Sequence, residues 1–199
     1  MAQSVNRRSM IVGSVMFAGA AVAGKTVQAQ GLCIPSRERW PRKDELVGGN
    51  DRDLILTTAR QMMIKQGHAA LVTIDDGALP RVRSVATSDP ESDMTVWILT
   101  SLVTRKVTQI RARPEVALHY VDIDNMAEVT LMGVAELHDD AKTLQAKNFY
   151  SSEQMPQYWP GFPKGYVMIA VRPLWLEISA PHTAIKGDRS RRRPAGLKL

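Results

Sequence analysis

The tripeptide Asp75-Asp76-Gly77 constrains the fold of this chain more than any other feature. It joins two apolar, β-branched runs, Ala69 to Ile74 and Pro80 to Thr87, and an Asp-Gly step between such runs is a strong short-range signal for a β-hairpin. In the second run Val82, Ser84 and Ala86 fall on one face and Arg81, Arg83, Val85 and Thr87 on the other. Similar runs follow at Met94 to Thr100, Val116 to Val121, Glu128 to Leu137 and Val167 to Ile178. Six short strands with turns at fairly even spacing point to a mostly β architecture, and to a closed barrel more than a parallel sheet.

Three helices are expected around the strands. Asp51 and Asp53 precede an apolar stripe at Leu54, Ile55, Ala59, Met62 and Met63, an amphipathic pattern that runs to about Gln66 and closes at Gly67. A second helix spans Arg105 to Arg113 and stops at Pro114, which cannot continue it. A third begins at Asp139-Asp140 and runs to about Tyr150.

The formal net charge of +6 resembles a nucleic-acid signal until it is located. Residues 1–29 hold three cations and no acid, and residues 186–199 hold six cations and one acid. The body between them, residues 30–185, carries 17 cations and 19 acids. Basicity confined to the two ends argues against a nucleic-acid-binding body. Residues 1–29 have the layout of an export signal: Asn6-Arg7-Arg8 starts it, Ile11 to Ala23 is apolar but Gly- and Ala-rich, and Val27-Gln28-Ala29 offers small residues for cleavage. Paired arginines, mild hydrophobicity and Lys25 beside the cleavage point resemble a twin-arginine signal, with an ordinary secretory signal as the alternative. The expected destination is the periplasm, with no membrane span left after signal removal. Residues 30–50 read as a lead-in, 51–180 as the barrel domain, and 181–199 as a solvated, disordered basic tail. Cys33 is the lone cysteine, so no intramolecular disulfide forms, and His68, His119, His138 and His182 are too scattered for a local metal motif.

The most informative chemistry lies where the third strand hands over to the second helix. Arg105 and Lys106 sit in that helix's first turn, where unpaired N–H groups and the positive dipole end disfavour cations unless an anion is also present. Arg83 on the second strand approaches the same region as Leu99-Thr100. Three cations and one hydroxyl around a helix start suit a dianionic phosphate.

In the order Pro80-Arg81-Val82-Arg83, Trp97-Ile98-Leu99-Thr100, then Thr104-Arg105-Lys106 through Gln109-Ile110 to Pro114-Glu115-Val116-Ala117-Leu118, the chain resembles the pyridoxamine 5′-phosphate oxidase-like FMN-binding split barrels, especially their general stress protein 26 branch. The likeness covers about Asp53 to Ala180 and implies a six-stranded split β-barrel with flanking helices. It also implies a homodimer with FMN at the subunit interface and two-electron redox chemistry on an unidentified small molecule. Carried over, the FMN-binding positions are Arg83, Ser84, Val85, Leu99, Thr100, Arg105 and Lys106. Arg105 and Lys106 would hold the phosphate, and the backbone at Ser84 and Val85 would face the ring or ribityl chain. The deazaflavin F420, haem, or a non-catalytic binding role are the alternatives.

Two departures from the family pattern stand out. The Arg-x-His motif that binds the vitamin B6 substrate is missing from the C-terminal region. Glu128 stands where those oxidases often place a glutamine, and a carboxylate sits poorly beside an anionic cofactor, so it is left out of the site. No residue qualifies as a catalytic acid or base.

Overall fold

The structure, a computed structural model, describes residues 51–190 and 192–199. The segments expected to be an export signal (1–29) and a lead-in (30–50) lie outside the described residues. Helix α1 (Arg52–Gln66) starts where the Asp51 side chain accepts from the Asp53 N–H, and it ends at Gly67, whose φ of 60° lets the last turn close. Its buried face is Ile55, Ala59, Met62 and Met63, four of the five residues of the sequence stripe.

Strands β1 (His68–Ile74) and β2 (Pro80–Ala86) form the expected hairpin. The Asp75 carboxylate closes its turn by accepting from the Leu79 N–H and from Arg81 Nε. Strand β3 (Val96–Ser101) leads into α2 (Arg105–Ala112), and β4 (Glu115–Asp122) turns back into β5 (Ala127–His138). Two short helices, α3 (Ala141–Ala146) and α4 (Gln154–Tyr158), precede the long β6 (Tyr166–Ser179) and the short β7 (Ala195–Lys198). All pairings are antiparallel, in the order β2-β1-β4-β5-β6-β3, with β7 also on β6. Alternate positions of β4 and β5 point inward, so Leu118, Tyr120, Val129 and Leu131 meet Leu71, Ile169, Leu176 and Ile178 in the main core.

Strand β6 organises the molecule. One edge pairs with β5 from Met168 to Ser179, across a bulge at Met132/Gly133 where the chain comes so close that a Cβ on Gly133 would lie 2.0 Å from the Arg172 carbonyl oxygen. The other edge is shared: β3 pairs with Tyr166–Val171 and β7 with Trp175–Ile178. β2 and β3 end the path without a ladder between them, but they meet where Ser88 N–H donates to the Trp97 carbonyl and Trp97 N–H to Ser88 Oγ.

Three expectations change. Among the described residues seven strands form, because the stretch expected to be a solvated tail supplies β7, with Ala195 and Leu197 buried. Three consecutive arginines draw attention there, yet Ala195-Gly196-Leu197 just after them is short, apolar and extended. A Cβ on Gly196 would lie 2.4 Å from the Trp175 indole, so the bare glycine lets the strand lie flat on the ring. The third helix stops at Ala146, because the Asn148 amide bonds both the N–H and the carbonyl of Tyr150 and turns the chain. The short α4 was not foreseen. Among the described residues no helix is long and apolar enough to cross a membrane.

Candidate functional site

Strand β3 is buried from Val96 to Thr100, which fixes the point where α2 begins. Its two faces serve two clusters: Val96 and Ile98 enter the main core, while Trp97 and Leu99 pack with Leu144, Met168 and Ala170 under α3. Trp97 is held further, its indole N–H donating to Glu91 Oε1 at 2.9 Å and Lys147 Nζ lying 4.9 Å from its ring centre. Helix α2 buries Val107 and Ile110, a spacing that turns its opposite side and N-terminus outward.

That N-terminus has no acid in its first turn and no side-chain cap, since the Thr104 hydroxyl donates backwards to the Ser101 carbonyl at 2.9 Å. Lys106 Nζ donates to Thr100 Oγ1 at 2.9 Å, and Thr104 Oγ1 lies 3.4 Å from the same oxygen. Arg83, half-buried on β2, points to this junction. Its Nη1 donates to Thr73 Oγ1 at 2.6 Å and its Nη2 to Gln109 Oε1 at 3.0 Å.

Electrostatics set the cluster apart. Burial is the main influence lowering the pKa of Arg83, and the charges of Arg105 and Arg81 add to it. Burial likewise lowers Lys106, followed by the charge of Arg83. Among the described residues no ion pair involves Arg83, Arg105 or Lys106, whereas Arg81 pairs with Asp75, Lys65 with Asp122, Lys147 with Glu91 and Arg172 with Glu136. Two half-buried cations and an exposed third, neighbours without a carboxylate, form a site complementary to an anion.

Of the seven residues expected at the site, the structure brings together the side chains of Arg83, Thr100, Arg105 and Lys106. Val85 and Leu99 point into the two apolar clusters and offer only backbone. Ser84 is exposed on the opposite face of β2 from Arg83. Sequence reasoning missed Gln109 and Thr73. Gln109 lies one turn beyond Arg105, at the i+4 spacing that stacks side chains on one helix face, and Thr73 sits diagonally across the β1–β2 ladder from Arg83. Among the described residues no group of three or more His, Cys, Asp or Glu is placed to hold a metal ion.

No curated protein matches the sequence. Among solved structures, General Stress Protein 26 from Bacillus anthracis str. Sterne superposes with a TM-score of 0.54 at 18% identity, over 72% of this chain and 98% of that one. A protein related to general stress protein 26, from Clostridium acetobutylicum, gives 0.58 at 15% identity over 71% and 99%. A pyridoxamine 5′-phosphate oxidase-related, FMN binding protein from Nostoc punctiforme PCC 73102 gives 0.52 at 12% identity over 74% and 96%. At such identities the likeness is one of fold, and it establishes the mostly β split barrel. The family model described as pyridoxamine 5′-phosphate oxidase like matches residues 58–160, a span that contains β1 to β5, both cationic segments and the α2 N-terminus. The chain therefore belongs to the pyridoxamine 5′-phosphate oxidase-like family.

Proposed function

We propose that this protein binds FMN through its phosphate at the β3–α2 junction and uses it as a redox cofactor. The observation that carries the reading is the cluster of Arg83, Arg105 and Lys106, gathered around an uncapped helix start with no carboxylate partner among the described residues. Arg83 and Arg105 offer guanidinium donors, Lys106 a compact charge, and Thr100 and Thr104 hydroxyls, which suits a phosphate dianion. Charge-assisted hydrogen bonds of this kind contribute roughly 1.5–3 kcal/mol each. FMN supplies two-electron chemistry when bound, and the chain binds and orients it. Ser84 and Val85 offer β2 backbone beside Arg83, and Leu99 offers β3 backbone beside Thr100. Haem would call for an axial ligand instead. His119 is engaged with Thr130 and Glu128, and His138 lies over Trp97, so the cationic cluster supports FMN better. F420 also carries phosphate, and the cluster suits it equally. The FMN reading is preferred because a protein of the same fold is described as FMN binding.

The same proposal includes a homodimer. Across the outer face of the sheet, the register aligns Val82, Val72, Ala117, Met132 and Trp175 in one row. Val82 is 64% exposed on the edge strand, and a partner subunit would cover it. Export to the periplasm through the twin-arginine signal in residues 1–29 completes the reading.

The test is the visible spectrum of the purified protein together with an FMN titration. Bands of oxidised flavin that bleach with a reductant, or saturable uptake of added FMN, are expected. A colourless protein that FMN neither binds nor stabilises overturns the reading, and a Soret band would replace FMN by haem.

A further inference from the structure

Arg83 is held from behind by a closed ring of neutral groups. Its Nη1 donates to Thr73 Oγ1 at 2.6 Å, the Thr73 hydroxyl donates to Gln109 Oε1 at 2.6 Å, and Arg83 Nη2 donates to that same oxygen at 3.0 Å. Nη1 also reaches the Leu71 carbonyl at 3.3 Å. Thr73 is fully buried and uses its hydroxyl both ways, so the ring has little freedom. A guanidinium carries five N–H donors. Among the described residues, these bonds leave the Nε–H and the second Nη2–H of Arg83 with no protein acceptor.

The choice of residue at 109 is informative. A half-buried arginine is ordinarily balanced by a carboxylate, and glutamate differs from glutamine only by an oxygen in place of the amide NH2. A glutamate here would accept the same bonds more strongly and relieve the repulsion that Arg83 shares with Arg105 and Lys106. The chain carries the neutral acceptor instead. We propose that Gln109 is the positioning residue that gives the site its preference for a doubly charged phosphate: it orients Arg83 without cancelling its charge, so three full positive charges remain for the ligand. This deepens the FMN reading and rests on it. Discrimination between phosphorylated and unphosphorylated flavin is then set by a residue that acts through Arg83. Because the free protein keeps the mutual repulsion of its cations, the glutamate variant gains stability while it loses affinity. A residue with a merely structural role would not separate the two in that direction.

The experiment compares wild type, Gln109→Glu and Gln109→Leu, titrating each with FMN and with riboflavin, and recording the ligand-free melting temperature. In Gln109→Glu the melting temperature is expected to hold or rise, FMN affinity to fall about ten-fold or more, and riboflavin affinity to stay within about two-fold. Gln109→Leu releases Arg83 without adding charge and is expected to lose less FMN affinity than Gln109→Glu. Unchanged FMN affinity in Gln109→Glu, or equal losses for FMN and riboflavin, overturns the proposal. If wild type binds no flavin, the FMN reading fails by itself, and the same variants are titrated with inorganic pyrophosphate by calorimetry. Loss of pyrophosphate binding in Gln109→Glu then upholds the role of Gln109. Equal binding in all variants, or no binding in wild type, refutes it.

Discussion

Lys106 Nζ reaches back over the β3–α2 turn and donates to Thr100 Oγ1 at 2.9 Å. The ammonium is half-buried, and Arg83 adds to the lowering of its pKa. A charged group so placed weakens the free protein and becomes favourable only when an anion arrives.

The first prediction concerns affinity. Arg105→Ala combined with Lys106→Ala is expected to weaken FMN binding by roughly ten-fold or more, because two charge-assisted contacts are lost together. Riboflavin, which has no phosphate, should respond far less. A fluorescence titration of both ligands checks it, and an unchanged FMN affinity would remove these two residues from the site.

The second concerns pH. Lys106 has a folded pKa below 10.5, so above it the group turns neutral and its pull on a phosphate is lost. FMN affinity should therefore fall as pH rises towards 10.5, before free lysines titrate. The stability of the ligand-free protein moves the opposite way. Between the lowered folded pKa and 10.5 the unfolded chain binds more protons, so stability rises with pH. Lys106→Met should remove both effects, with a higher ligand-free melting temperature at neutral pH. Titrations and melts between pH 7 and 10.5 decide it.

Acid is the third case. The Asp75 carboxylate lies below its ordinary range, chiefly because it accepts from the Leu79 N–H and then from Arg81. Asp122 is lowered first by its bond from Lys65 and then by Asn125, and Glu91 first by Lys147 and then by Trp97. Groups with depressed folded pKa values lend stability that is fully present above their unfolded values of 3.8 to 4.5 and lost as pH falls through the folded ones. Denaturant midpoints should hold from pH 7 to about 5 and drop steeply below 4. An Asp75→Asn variant should show a shallower drop.

The fourth prediction tests β7. Gly196→Ala places a methyl against the Trp175 indole, where the nearest ring carbon would be 2.4 Å away. Overpacking of this kind costs about 1–3 kcal/mol. Removing the chain after Pro194 should cost more, since it exposes Trp175 and leaves the Leu176–Ile178 edge of β6 unpaired. Urea titrations followed by tryptophan fluorescence read both effects.

The row of outer-face residues that ends at Val82 yields the fifth prediction. Val82→Lys on the exposed edge of the sheet should convert a dimer to a monomer, as measured by light scattering, with little change in the fold. A wild-type chain that is already monomeric overturns the homodimer.

Much of this architecture was legible in the residues alone because periodicity and turn chemistry agreed. Asp75-Asp76-Gly77 set the first hairpin, and Pro114 limited α2 to the segment now seen as Arg105–Ala112. The side chains of Arg83, Thr100, Arg105 and Lys106 converge because burial of β3 and the period of β2 both aim at one junction. Gln109 and Thr73 were not legible, since a neutral side chain bonded to another neutral one leaves no mark on charge or hydropathy. β7 was hidden for a different reason: Arg191-Arg192-Arg193 dominates the composition of a segment whose structural information lies in the three small and apolar residues after Pro194.

Because β3 and β7 lean on the same rail of backbone, the last strand and the strand that leads into the cationic junction are mechanically one assembly. Any tag, dye or surface tether attached after β7 hangs its weight on that rail, a few residues of β6 away from the segment paired with β3. For labelling or immobilisation, the exposed side chains of α1, such as Gln61 and Ile64, offer a handle that leaves this rail alone.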